Sequence, residues 1–138
     1  MTQTGKVIYT AKTHTIGGRE NGVSRSSDGQ LDVKLSMPDS PRPGTNPEQL
    51  FAAGWSACFE GAIAVAARRK KITLPHDVAI DAEVNLHLDG DYFLSVRLKV
   101  AIPGIKRGIA QDLVEDAEGI CPYSKATRGN IAVTYNVV

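Results

Sequence analysis

Two thiols, an arginine and a glutamate are the side chains here whose types could share covalent chemistry: Cys58, Cys121, Arg19 and Glu48. A cysteine attacks as its thiolate, which nearby positive charge or the N-terminus of a helix favours near neutral pH. The two sulfurs meet that requirement differently. Cys58 falls about three turns inside the apolar run 46–71, beyond the first turn where a helix dipole acts, so a cation must reach it from elsewhere. Cys121 stands just ahead of a short predicted helix and is, on local physics alone, the more acidic thiol. Burial is the competing reading for Cys58, because a free cysteine usually behaves as a small hydrophobe. Arg19 follows a Gly-Gly break at a strand end, where the backbone can aim its side chain inward, and Glu48 can orient the guanidinium. Each also has a plain reading: a solvated turn arginine, and a carboxylate favoured by the first turn of a helix. Glu60 points to the opposite side of its helix from Cys58 at about 100° per residue.

These residues depend on the stretch NPEQLFAAGWSACFEGAIAVAARRKK at 46–71. Asn46 can cap a helix, Pro47 suits its first position, and Arg68 to Lys71 complement its negative end. With no broad polar face, it predicts a central helix buried on most sides. Glu60, within a short Ala/Gly-rich run, argues against a bilayer span. Small residues form two ridges, Ala53-Ala57-Gly61-Ala64 and Gly54-Cys58-Ala62, along which another backbone can approach closely. Phe51, Trp55, Phe59 and Ile63 recur near the sulfur, as pocket walls or simply as core.

Around the helix, the patterning predicts strands at 5–16, 22–27 and 31–37, the last two joined at Asp28-Gly29. A proline-rich loop from Met37 leads to the helix, which Leu74-Pro75 ends. Strands at 77–88 and 92–102 flank a second hairpin signal, Asp89-Gly90, with Val78, Ile80, Ala82, Val84, Leu86 and Leu88 facing inward. Residues 105–118 show helical spacing with Gly119 as a stop, a short helix lies between Cys121 and Gly129, and a strand closes the chain. This order predicts an α+β fold with antiparallel sheets around the long helix.

A length of 138 residues suits one domain, 1–138, with a real core. Sixteen basic against 15 acidic residues, a formal charge of +1, give no global reason to expect nucleic acid or anionic membrane as partner. Residues 1–15 lack the apolar core of a secretory signal, so the cytosol is the simplest address. There, two cysteines 63 positions apart do not suggest a structural disulfide, a CxxC motif or a zinc site. A metal would have to recruit His14, His76 and His87 from separate segments, so none is expected.

Three stretches then carry a resemblance over essentially the full length: the Gly-Gly-Arg turn at 17–19, NPEQLFAAGWSACF at 46–59 and CPYSKATRGNI at 121–131. The chain resembles the organic hydroperoxide resistance (Ohr) proteins of the OsmC/Ohr superfamily. That resemblance implies an intertwined homodimer and a thiol peroxidase with no bound cofactor. It makes Cys58 the peroxidatic and Cys121 the resolving cysteine, with Arg19 and Glu48 activating the thiol, and so overrules the local preference for Cys121. It implies reduction of an organic hydroperoxide to its alcohol through a sulfenic acid and a Cys58–Cys121 disulfide, recycled by a dihydrolipoyl group on a partner protein. Glu48 and Cys58 are ~15 Å apart along one straight helix. Either the helix begins after Pro47, or Glu48 serves the other subunit's Cys58. A redox sensor would call for a DNA-reading element or basic stripe, and a cysteine hydrolase or transferase for a histidine base; neither is recognisable.

Overall fold

Residues 5–138 are described by a computed structural model, which divides into two compact units, one ending at Pro47 and the other running Glu48–Val138. The first holds a three-stranded antiparallel sheet, β1 (Thr13–Ile16), β2 (Val23–Ser26) and β3 (Asp32–Lys34), with a one-turn helix α1 (Gly18–Asn21) between β1 and β2. The predicted hairpin closes at Gly29, φ 76°, with Ser26 Oγ and the Asp28 carboxylate bonded at its base. After β3 the proline-rich loop folds back: Arg42 donates to the carbonyls of Leu35 and Gly22 at 3.0 and 3.3 Å. The first strand is shorter than its pattern suggests. Residues 5–12 are outside any strand, and Val7, Ile8 and Tyr9 are 75%, 89% and 77% exposed. Alternation specifies which face a strand would bury, but a strand also needs an edge to pair with, and only 13–16 find one in β2.

In the second unit, α2 (Pro47–Arg69) packs against β4 (Ala79–Asp89), β5 (Asp91–Ala101) and α3 (Arg107–Ile120); α4 (Pro122–Thr127) and β6 (Ala132–Val137) complete it. Trp55, Phe59, Ile63, Leu98, Val100 and Leu113 are fully buried at the centre. Each such side chain contributes roughly 1.5–3 kcal/mol relative to exposure. The buried stripe of α2 is Trp55, Phe59, Ala62, Ile63, Ala66 and Ala67, at helical spacing. Its opposite ridge, Ala53, Ala57 and Gly61 with Glu60 beside it, is exposed, so within this chain the helix is buried on one side rather than most. At 23 residues α2 is long and apolar enough to cross a bilayer by length and composition, which corrects the expectation of a short run. Its aromatic stripe is nevertheless packed against protein.

Four further expectations change. Lys71, at φ 58°, closes α2 ahead of Leu74-Pro75, with Ile72 N–H bonded back to the Ala67 carbonyl at 2.8 Å. Leu86 and Leu88 are 47% and 69% exposed: β4 runs past the core that its first half covers. α3 continues through Gly119 to Ile120, because Cys121 N–H still reaches the Ala117 carbonyl at 2.8 Å. The β4–β5 hairpin is antiparallel, as Asp89-Gly90 predicts, whereas β6 pairs parallel to β5. Parallel pairing needs a long crossover, and α3 with α4 supplies it.

Candidate active site

The crossover brings the two cysteines together. Cys58 sits mid-way along α2, Cys121 occupies the N-cap of α4, and their sulfurs are 3.2 Å apart with the Cys121 thiol donating to Cys58. Cys121 is 0% exposed, held by its N–H bond into α3 and by its carbonyl, which accepts from Lys125 N–H at 3.0 Å. Cys58 is half-buried. Access therefore distinguishes them: a reagent from solvent meets Cys58 first. Burial pushes the Cys58 thiol above its ordinary range, and the bond from Cys121 adds to this, while the Tyr123 backbone N–H pulls it down. That N–H belongs to the first turn of α4. The helix start predicted to acidify Cys121 thus turns a donor toward Cys58, which its own helix cannot assist.

The predicted walls divide. Trp55, Phe59 and Ile63 are fully buried core, whereas Phe51, two turns before Cys58 on α2, is half-buried. Phe51 forms an aromatic group with Trp55 and Tyr123, at centroid distances of 5.4 and 6.0 Å. Tyr123 keeps 38% of its surface exposed. Gly54, one turn before Cys58, lets that ring approach α2: a Cβ there would stand 3.0 Å from the tyrosine oxygen. Behind the sulfurs, Ser124 Oγ accepts from Trp55 Nε1 at 3.3 Å and from Tyr135 OH at 2.9 Å.

Arg19 lies in the N-terminal unit, half-buried on α1. Gly17 and Gly18, at φ 87° and 72°, turn the chain into that helix. Gly22 closes it, since a Cβ there would meet the Gly18 carbonyl oxygen at 2.2 Å. Glu48 is half-buried in the first turn of α2. Because α2 begins at Pro47, a later helix start no longer explains how Glu48 and Cys58 would share a site. Among the described residues, no three His, Cys, Asp or Glu side chains cluster as metal ligands.

The profile of the OsmC-like proteins matches residues 37–136. The chain belongs to the OsmC-like family. Within that family it is 48% identical over 134 residues to an organic hydroperoxide resistance protein of Xanthomonas axonopodis pv. citri, covering 94% of each chain. The crystal structure of the organic hydroperoxide resistance protein OhrB of Bacillus subtilis superposes with a TM-score of 0.89 at 42% identity, covering 96% of this chain and 100% of that one. A crystal structure from Vibrio cholerae, described as a putative organic hydroperoxide resistance protein with captopril bound in one of the active sites, superposes at 0.90 with 38% identity, covering 98% and 95%. The architecture of this OsmC-like chain, two small sheets and a long central helix, is thus that of the organic hydroperoxide resistance proteins.

Sequence reasoning on this family member missed Tyr123, Ser124 and Tyr135 as neighbours of the thiols. The first two follow Cys121 within the CPYS segment, and a helix start at Pro122 already places them in its first turn. Tyr135 carried no such signal, because its place beside Ser124 depends on the parallel register of β6.

Proposed function

We propose that this chain is a thiol peroxidase that reduces organic hydroperoxides. The observation that carries this reading is the 3.2 Å separation of a half-buried Cys58 sulfur and a buried Cys121 sulfur in a chain of this family. The Cys58 thiolate attacks the outer peroxide oxygen, the O–O bond breaks, and the alkoxide takes a proton to leave as alcohol while Cys58 becomes a sulfenic acid. Cys121 attacks that sulfur, water leaves, and a disulfide forms. An external dithiol, a dihydrolipoyl group on a partner protein, supplies two electrons and two protons, restoring both thiols and leaving as its own disulfide. The partly exposed Tyr123, whose backbone reaches Cys58, and the Phe51 ring packed against it favour an alkyl or lipid hydroperoxide over hydrogen peroxide, and the cytosol suits a cycle that depends on reduced thiols. The test is consumption of cumene hydroperoxide and of hydrogen peroxide with dihydrolipoamide as reductant. We expect turnover with clear preference for the organic peroxide. Oxidation of the protein without recycling by dithiols would instead favour a sensor.

Arg19 is the activating cation in this reading. A thiol raised by burial is a weak nucleophile at neutral pH, and a guanidinium brought beside it favours the thiolate. Arg19→Ala is therefore expected to slow Cys58 oxidation at pH 7 by roughly 10- to 1000-fold. The deficit should shrink as pH rises and the unaided thiol ionises. A deficit that stays constant to pH 10 in stopped-flow measurements argues against charge stabilisation.

Glu48 orients that arginine at a site shared between two copies of the chain. Its ~15 Å separation from Cys58 on one helix supports a cross-subunit arrangement. So does the alternating segment at 7–9, which is exposed and outside any strand in its own chain. Mixed Cys58→Ser and Glu48→Ala chains should then regain activity on forming heterodimers, up to about half of wild type where one intact site per dimer is restored. Heterodimers no more active than their parents would remove the support for a shared site.

A further inference from the structure

We propose that Ser124 is a positioning residue for disulfide formation, holding α4 so that Cys121 stays within reach of Cys58. This rests on the resolving role given to Cys121 above. Ser124 is 2% exposed and lies in the same short helix that Cys121 caps. Its hydroxyl oxygen has two lone pairs, and two donors approach it from different elements: the indole N–H of Trp55 on α2 and the phenol of Tyr135 on β6. An indole nitrogen only donates, so the Trp55 bond has one possible direction. A single buried oxygen thus ties α4 both to the helix that carries Cys58 and to the sheet behind it. Burial raises the Tyr135 phenol, and Ser124 partly opposes this, consistent with a bond made away from bulk water.

The geometry explains why this tie matters for one chemical step. Condensation requires the Cys121 sulfur to attack the Cys58 sulfenic sulfur, the S–O bond to break, and hydroxide to leave as water with the thiol proton. The sulfurs, 3.2 Å apart in the reduced chain, must close to about 2.05 Å. Reacting groups misplaced by about 1 Å lose up to 100-fold in rate, so a loosened α4 slows this closure. Attack on peroxide depends on the exposure of Cys58 and on its thiolate, and burial, the larger influence on that thiol, does not pass through Ser124.

The reduced full-length chain, mixed with one equivalent of cumene hydroperoxide and quenched with dimedone and N-ethylmaleimide, separates the two steps by mass spectrometry. Ser124→Ala is expected to slow the conversion of sulfenic acid to disulfide roughly ten- to 100-fold and to accumulate the dimedone adduct on Cys58. Its first oxidation should stay within about threefold of wild type. Ser124→Thr, which keeps the hydroxyl, should restore fast condensation, and Tyr135→Phe should slow it in the same direction by less. Equal slowing of both steps in Ser124→Ala, or condensation as fast as wild type, overturns the assignment. If Ser124→Ala does not fold, Tyr135→Phe is judged by the same two rates. Wild type that forms no Cys58–Cys121 disulfide overturns the peroxidase reading itself, and the positioning role with it.

Discussion

Cys58→Ser is expected to reduce hydroperoxide turnover roughly a thousandfold or more, to the rate without enzyme, while Cys121→Ser completes one turnover per chain and stops. The two outcomes differ because the sulfurs do different work. A serine hydroxyl is not ionised near neutral pH and forms no sulfenic acid, so nothing remains to accept the peroxide oxygen. Cys121, at 0% exposure, does not meet the substrate in place of Cys58. In Cys121→Ser the attacking thiol persists and loses a neighbour that holds its pKa up, so its first oxidation at neutral pH should be no slower than wild type. The sulfenic acid then has no partner at 3.2 Å, and excess peroxide drives it on to sulfinic acid. A burst of one cumyl alcohol per chain, then a slower second equivalent as Cys58 gains its second oxygen, is the signature. Steady turnover by Cys121→Ser with a dithiol would show that the external reductant attacks the sulfenic acid directly. Steady turnover by Cys58→Ser would place the attack on Cys121.

The course of α2, its end charges and the hairpins at Asp28-Gly29 and Asp89-Gly90 were legible because each is written within a few neighbouring residues. What was not legible depends on pairing between distant segments. Residues 5–12 alternate as a strand should, yet lie outside any strand in the chain. Leu86 and Leu88 keep the inward alternation of β4 but stand beyond the core it covers. The same distinction applies at the thiols. Local rules assigned the helix start to Cys121, the residue that caps it, and could not anticipate that the crossover aims the Tyr123 N–H at Cys58. The four aromatic and aliphatic residues around Cys58 had one periodicity, but only packing separates Phe51 from the buried Trp55, Phe59 and Ile63. Periodicity tells which residues share a helix face, not how far along that face the core extends.

Trp55→Ala is the substitution expected to cost the fold most. Trp55 is 0% exposed on the buried stripe of α2, and its ring lies 5.4 Å from Phe51 and 6.3 Å from Tyr123. Truncating a buried tryptophan removes its transfer free energy and leaves a cavity that close-packed neighbours fill only in part, about 3–5 kcal/mol together. For a chain of this length that lowers Tm by on the order of 10–20 °C. Trp55→Phe keeps most of the apolar volume and forfeits chiefly the bond to Ser124, so it should cost about 1–2 kcal/mol. Urea unfolding at fixed protein concentration, with unchanged m, separates these losses from any change in self-association. The contrast between the variants carries the argument. If Trp55→Ala and Trp55→Phe were equally destabilised, the indole N–H rather than the ring's bulk would be what α2 contributes here. If Trp55→Ala cost under about 1 kcal/mol, the space around the ring would have to collapse freely, and α2 could not be the rigid support that keeps Cys58 in register with Cys121.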